Sequence, residues 1–164
     1  MNVEQKSLID SQIEDFISKM DDYITSLGLG NVIYSSEVEK ALSFSADELR
    51  GLNGEECGIY CAKLQQFAFF LQTQQNRYRN LTRWTNQAII KVIAKEGQNY
   101  GDSYTKHEIV RASVVLNNSH AAKLEEMYDE FFYKNEELEQ LANRVSAMSK
   151  TLADLQYTKR FNRG

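Results

Sequence analysis

The chain has 164 residues, 26% of them charged and 42% apolar, which is the size of one domain with a modest core. It contains no proline and only eight glycines, where an average composition of about 5% proline predicts roughly eight prolines. Collagen-like, proline-rich disordered and turn-dense all-β architectures are excluded, and long uninterrupted helices are permitted because helix breakers are scarce. The net charge of −4 conceals a segregation. Residues 1–56 carry twelve acidic against four basic side chains, residues 57–111 three against eight, and residues 112–164 eight against seven. The acidic first third and basic middle third point to separate partners or to each other.

Residues 2–27 are predicted to form an amphipathic helix, with Leu8, Ile9, Ile13, Phe16, Ile17, Met20, Ile24 and Leu27 mostly at spacings of three and four. Gly28-Leu29-Gly30-Asn31 is expected to end it. Capping boxes at Ser36–Glu39 and Ser45–Glu48 predict two short helices, and Gly51 and Gly54 mark the next joint. Residues 1–44 therefore form an acidic helical segment ahead of a core in residues 45–164.

Residues 55–96 contain one glycine, Gly58, and a sustained apolar stripe through Leu64, Phe67, Leu71, Tyr78, Leu81, Ala88, Ile89, Val92 and Ile93. A helix of about forty residues rises roughly 60 Å and needs a partner of similar length. Residues 97–103 form a loop. A third capping box, Thr105 to Glu108, predicts a short helix through Val114 and Val115, and Asn117-Asn118-Ser119 supplies a cap or turn before a last helix reaching about Arg160. In that helix Leu138, Leu141, Val145, Met148, Leu152 and Leu155 repeat at alternating spacings of three and four. Leu124, Tyr128 and Phe131 continue this seam upstream, with Asn135 interrupting it. The expected fold is all-α: a long antiparallel, coiled-coil-like hairpin with a small N-terminal helical segment.

The main candidate site is the run from residue 57 to residue 95, which has no aspartate or glutamate. Arg77, Arg79, Arg83, Lys91 and Lys95 are interleaved with Gln72, Gln74, Gln75, Asn76, Asn80 and Asn86 and with the aromatics Tyr78 and Trp84. On a helical wheel Arg77, Trp84, Lys91 and Lys95 share one flank of the apolar stripe, and Arg79 and Arg83 lie one turn apart on the far face. Both groups are expected to reach solvent. Cations and amides along a helix, with an aromatic between them, suit single-stranded nucleic acid: cations meet phosphates and release counterions, and aromatics offer faces to bases. The competing reading is a solvated face whose charges pair with the acidic N-terminal segment. Tyr78 lies in the stripe and reads as core, which leaves Trp84 as the stacking candidate. The basic tail from Tyr157 through Lys159, Arg160 and Arg163 either extends that surface or complements a helix C-terminus.

Catalytic, cofactor and metal signatures are not found. Phosphate-loop, dinucleotide and nucleophile-elbow patterns are missing, and Cys57, Cys61, His107 and His120 do not have a zinc-ligand spacing, so Cys57 and Cys61 read as buried thiols. Carboxylates four residues before a lysine, as in Asp15 with Lys19 and Glu130 with Lys134, read as solvated helix faces. No signal peptide or membrane span is read, and two cysteines without a disulfide pattern fit a reducing cytoplasm.

The stretch Tyr104-Thr105-Lys106-His107-Glu108-Ile109-Val110-Arg111-Ala112-Ser113-Val114-Val115-Leu116, a polar turn, Lys123 to Tyr128, and Leu152 to Phe161 together have a recognisable cadence. Over about residues 45–161 the chain resembles the recombination mediator proteins of tailed phages, the UvsY type. The acidic segment before residue 45 lies outside the match. The resemblance implies a helical, non-enzymatic homo-oligomer of the host cytoplasm that binds single-stranded DNA. Such a protein helps load a RecA-like recombinase onto strands covered by a single-strand-binding protein, in DNA recombination and repair. By position, the DNA contacts fall on Arg77, Arg79 and Arg83, with Lys91 and Lys95. The alternative is a helical protein-interaction module, such as a phage adaptor, inhibitor or virion component, whose recognition face is the acidic N-terminal segment and which binds no nucleic acid.

Overall fold

The computed structural model describes residues 3–26, 35–101 and 105–161. Its elements in chain order are α1 (Val3–Ser26), α2 (Ser36–Ser43), α3 (Ala46–Gly51), α4 (Gly54–Glu96), a 3-10 turn (Gly97–Asn99), α5 (His107–Asn117) and α6 (Ser119–Phe161). Among the described residues there is no strand, and α4 packs against α6 as a hairpin, with small helices at the N-terminal end of the sequence. The chain gathers into two compact units, one of Met1–Asp22 with Asn76–Glu136, the other of Tyr23–Gln75 with Glu137–Gly164.

Local chemistry sets the helix boundaries. Ser45 and Glu48 form the expected reciprocal box, each side chain satisfying the other's backbone N–H. That hydrogen bonding holds the Glu48 carboxyl below its ordinary range. Asn53, which the sequence reading passed over, starts α4 in a similar way. Its Oδ1 accepts from the N–H groups of Glu55 and Glu56 at 2.9 Å, and Glu56 Oε2 accepts from the Asn53 N–H at 2.7 Å. Asn118 caps α6 as expected, accepting from His120 and Ala121. Two expected boxes are displaced. The first turn of α2 closes on Ser35, whose Oγ and carbonyl both accept from Val38, so the cap lies one residue before Ser36. The first turn of α5 closes on the carbonyl of Lys106, whose own side chain makes no capping hydrogen bond, so Thr105 lies one residue before the N-cap. In both cases position N3 is filled by Val38 or Ile109, which cannot return a hydrogen bond. The expected stop at Gly28-Leu29-Gly30-Asn31 lies outside the described residues.

In the second unit, Leu64, Phe67 and Leu71 of α4 meet Val145 and Leu152 of α6, and Val38 and Ala41 of α2 close the same core with Cys57 and Cys61. The remaining seam residues Leu138, Leu141, Met148 and Leu155 pack at its margin. In the first unit, Ile89 and Ile93 of α4, Val114 of α5 and Ala121 and Leu124 of α6 form the core, joined by Ile17 of α1. Each fully buried leucine or isoleucine contributes about 1.5–3 kcal/mol of transfer free energy, so the apolar stripe rather than helix propensity holds these helices. Thr85 interrupts the stripe at no cost in unmet polarity. It is fully buried, and its hydroxyl donates within α4 to the carbonyls of Leu81 and Thr82, both at 2.9 Å. Asn135 is different: its Oδ1 is buried without a hydrogen-bond partner among the described residues.

Candidate nucleic-acid interface

The C-terminal part of α4, in the first unit, carries all six candidate residues. Because the helix runs without a break from Gly54 to Glu96, its periodicity fixes the angular position of each one. Arg79, Arg83, Lys91 and Lys95 are exposed, along with Asn76, Asn80 and Gln87 on the same outward surface. Among the described residues, none of these four cations is held in an ion pair. Ile90, 48% exposed, is a large apolar residue between them.

Arg77 and Trp84 are more covered than the sequence reading expected. Helix α1 runs antiparallel to α4 along their flank, so that Asp21 meets Arg77 and Phe16 meets Trp84. Arg77 donates from Nε to Asp21 Oδ1 at 2.5 Å and from Nη2 to Oδ2 at 2.9 Å, a bidentate pair that leaves its side chain 17% exposed. The guanidinium also lies 5.2 Å from the centre of the Tyr78 ring. Hydrogen bonding to Asp21 raises the Arg77 pKa further, against the opposing effect of burial. Trp84 is half-buried, with the Phe16 ring stacked on it at a centroid distance of 4.9 Å and an interplanar angle of 14°. Tyr78, read as core, is half-buried with its ring 6.2 Å from that of Phe131.

Sequence reasoning therefore found the basic helix but missed Phe16 and Asp21, the two residues that hold its inner flank. The available signal was the charge imbalance. It pointed to pairing between the acidic and basic thirds without saying which carboxylate meets which cation. In the second unit a similar pairing joins Lys63 to Glu37 at 3.2 Å.

The basic tail divides as well. Lys159 donates to the carbonyls of Leu49, Arg50 and Leu52 at the end of α3, the Arg50 contact being 2.8 Å. Arg160 is exposed, and Arg163 lies outside the described residues.

Elsewhere, a groove of about 400 Å³ in the second unit is lined by Gln65, Phe69, Gln72, Gln75, Ala142 and Ser146, with no ionisable side chain. Among the described residues, no three histidine, cysteine or carboxylate side chains gather as a metal site would need. No helix there is long and apolar enough to cross a membrane. Comparison with protein-family models, curated proteins and solved structures finds no match to this chain.

Proposed function

We propose that this protein binds single-stranded nucleic acid through the exposed face of α4. The observation that carries the reading is the set of four solvent-facing cations, Arg79, Arg83, Lys91 and Lys95, on a helix that has no carboxylate for 39 residues, 57 through 95. Their spacing lets a flexible strand follow the helix, with phosphates on the cations and sugar or base edges on Asn76, Asn80 and Gln87. Cations that meet phosphates carry no base information, so these contacts are sequence-independent and salt-sensitive. The likeness to UvsY-type mediators extends the reading to a non-enzymatic homo-oligomer that loads a RecA-like recombinase onto DNA coated with single-strand-binding protein.

The test is fluorescence anisotropy of a labelled oligothymidylate at two salt concentrations. Binding at low salt should fall steeply as salt rises, and Arg79→Ala with Arg83→Ala should weaken it for every base composition alike. No binding at low salt defeats the reading.

A second reading, protein recognition, is favoured by α5, where Ile109 is 54% and Leu116 84% exposed on a helix whose opposite side is already in the core. A stoichiometric protein partner, together with absorbance free of co-purifying nucleic acid, would select it.

A further inference from the structure

The Arg77–Trp84 flank of α4 is filled in this structure by groups that imitate a nucleotide chain. The Asp21 carboxylate sits on the Arg77 guanidinium in the two-pronged geometry that a phosphate takes. The Phe16 ring lies nearly parallel to the Trp84 indole, as a stacked base does. Glu14 stands exposed two turns from Asp21 on the same side of α1, while Asp15 is paired with Lys19 at 2.6 Å. Arg77 and Trp84 are two helical turns apart, about 10 Å along α4. Lys91 and then Lys95 follow on the same flank, and both are exposed.

We propose that Arg77 and Trp84 form a second, covered subsite for a single strand, one phosphate on Arg77 and one base on Trp84, and that α1 is its competing occupant. The proposal rests on the nucleic-acid reading above and adds to it. The open cations Arg79, Arg83, Lys91 and Lys95 take the strand first, and a strand that displaces α1 gains the two covered contacts. Both occupants need the same guanidinium prongs and the same indole face, so they exclude each other. Apparent affinity is then the intrinsic affinity reduced by the fraction of molecules in which the flank is uncovered.

The experiment compares the full-length protein with Asp21→Asn, which keeps the shape of the side chain and removes its charge. Binding of a fluorescein-labelled oligothymidylate should tighten roughly tenfold in Asp21→Asn, as expected when a competing bidentate pair is weakened. In an Arg77→Gln background the same change should have no effect, because the contact it weakens is already gone. A stabilising contact with no part in binding would not give that pattern. Trp84 is the chain's single tryptophan, so its emission supplies an independent readout on the unaltered protein. Saturating unlabelled oligothymidylate should change that emission as a base replaces Phe16. Normal anisotropy with unchanged Trp84 emission, or an Asp21→Asn affinity no better than the parent's, overturns the covered subsite and leaves the exposed face standing. No anisotropy change for either protein at low salt removes the nucleic-acid reading and this subsite together.

Discussion

Arg111 on α5 lays its guanidinium flat against the carboxylate of Glu125 on α6, with Nε and Nη2 each reaching both oxygens at 2.9–3.2 Å. Its Nη1 donates to Asn86 Oδ1 of α4 at 3.3 Å, and the group lies 5.7 Å from the centre of the Tyr128 ring. One side chain thus ties three helices of the first unit. Lysine has no planar fork, so Arg111→Lys should cost about 1–2 kcal/mol in urea unfolding. A double-mutant cycle with Glu125→Gln should return a coupling of roughly 1 kcal/mol or more, because the pair is about three-quarters buried. Coupling near zero would mean that water screens the pair.

Lys159 performs for α3 what a C-terminal glycine usually performs. α3 has six residues, Ala46–Gly51, and its last carbonyls have no helical partner. The ammonium group of α6 supplies the donors. Lys159→Met keeps the stem and removes the charge, and should destabilise by about 1–2 kcal/mol, with α3 amides losing hydrogen-exchange protection before those of α4.

The Cys57 thiol is fully buried, and burial pushes its pKa up, only partly offset by the positive charge of Lys159. Cys57 should therefore alkylate more slowly than a free thiol at neutral pH, and more slowly still in Lys159→Met. The folded state holds this proton more tightly than the unfolded chain does. Its contribution to stability is complete below the thiol's unfolded pKa and is lost as pH rises toward the folded one. Unfolding midpoints should consequently fall on the alkaline side, and Cys57→Ala should flatten that fall.

Gly58 lies within α4, where glycine costs about 1 kcal/mol relative to alanine. A Cβ placed there meets the Gln156 side chain, 2.5 Å from Nε2 and 3.2 Å from Cδ. The nearest atom is the tip of a flexible side chain that can swing aside. Gly58→Ala should thus be neutral or stabilising by up to about 1 kcal/mol, and Gly58→Leu, whose bulk reaches past that tip, should destabilise. Thermal melts of the two variants check the sign.

The two long helices were legible because their signals are local and repetitive. Leu64, Phe67 and Leu71 recur on one face of α4, and Val145 and Leu152 recur on the facing side of α6, in a chain with no proline to interrupt either. Such periodicity survives any tertiary arrangement that buries the stripe. Helix starts were less legible, because serine and threonine neighbours compete for one cap. Ser35 and Ser36 are equally plausible in sequence, and the backbone chooses the one whose carbonyl the first turn can reach.

The sequence by itself determined that the chain is helical, that its long helices pair, and that one of them carries a basic run. Only the tertiary structure decided which of those cations face water. Asp21 and Arg77 are 56 positions apart. Nothing in either neighbourhood specifies the other, since a carboxylate finds any cation its helix happens to reach. The antiparallel seating of α1, set by Phe16 and Ile17 against Trp84 and the core around Ile89, selects this pair. It divides six candidate residues into two that are covered and four that are open.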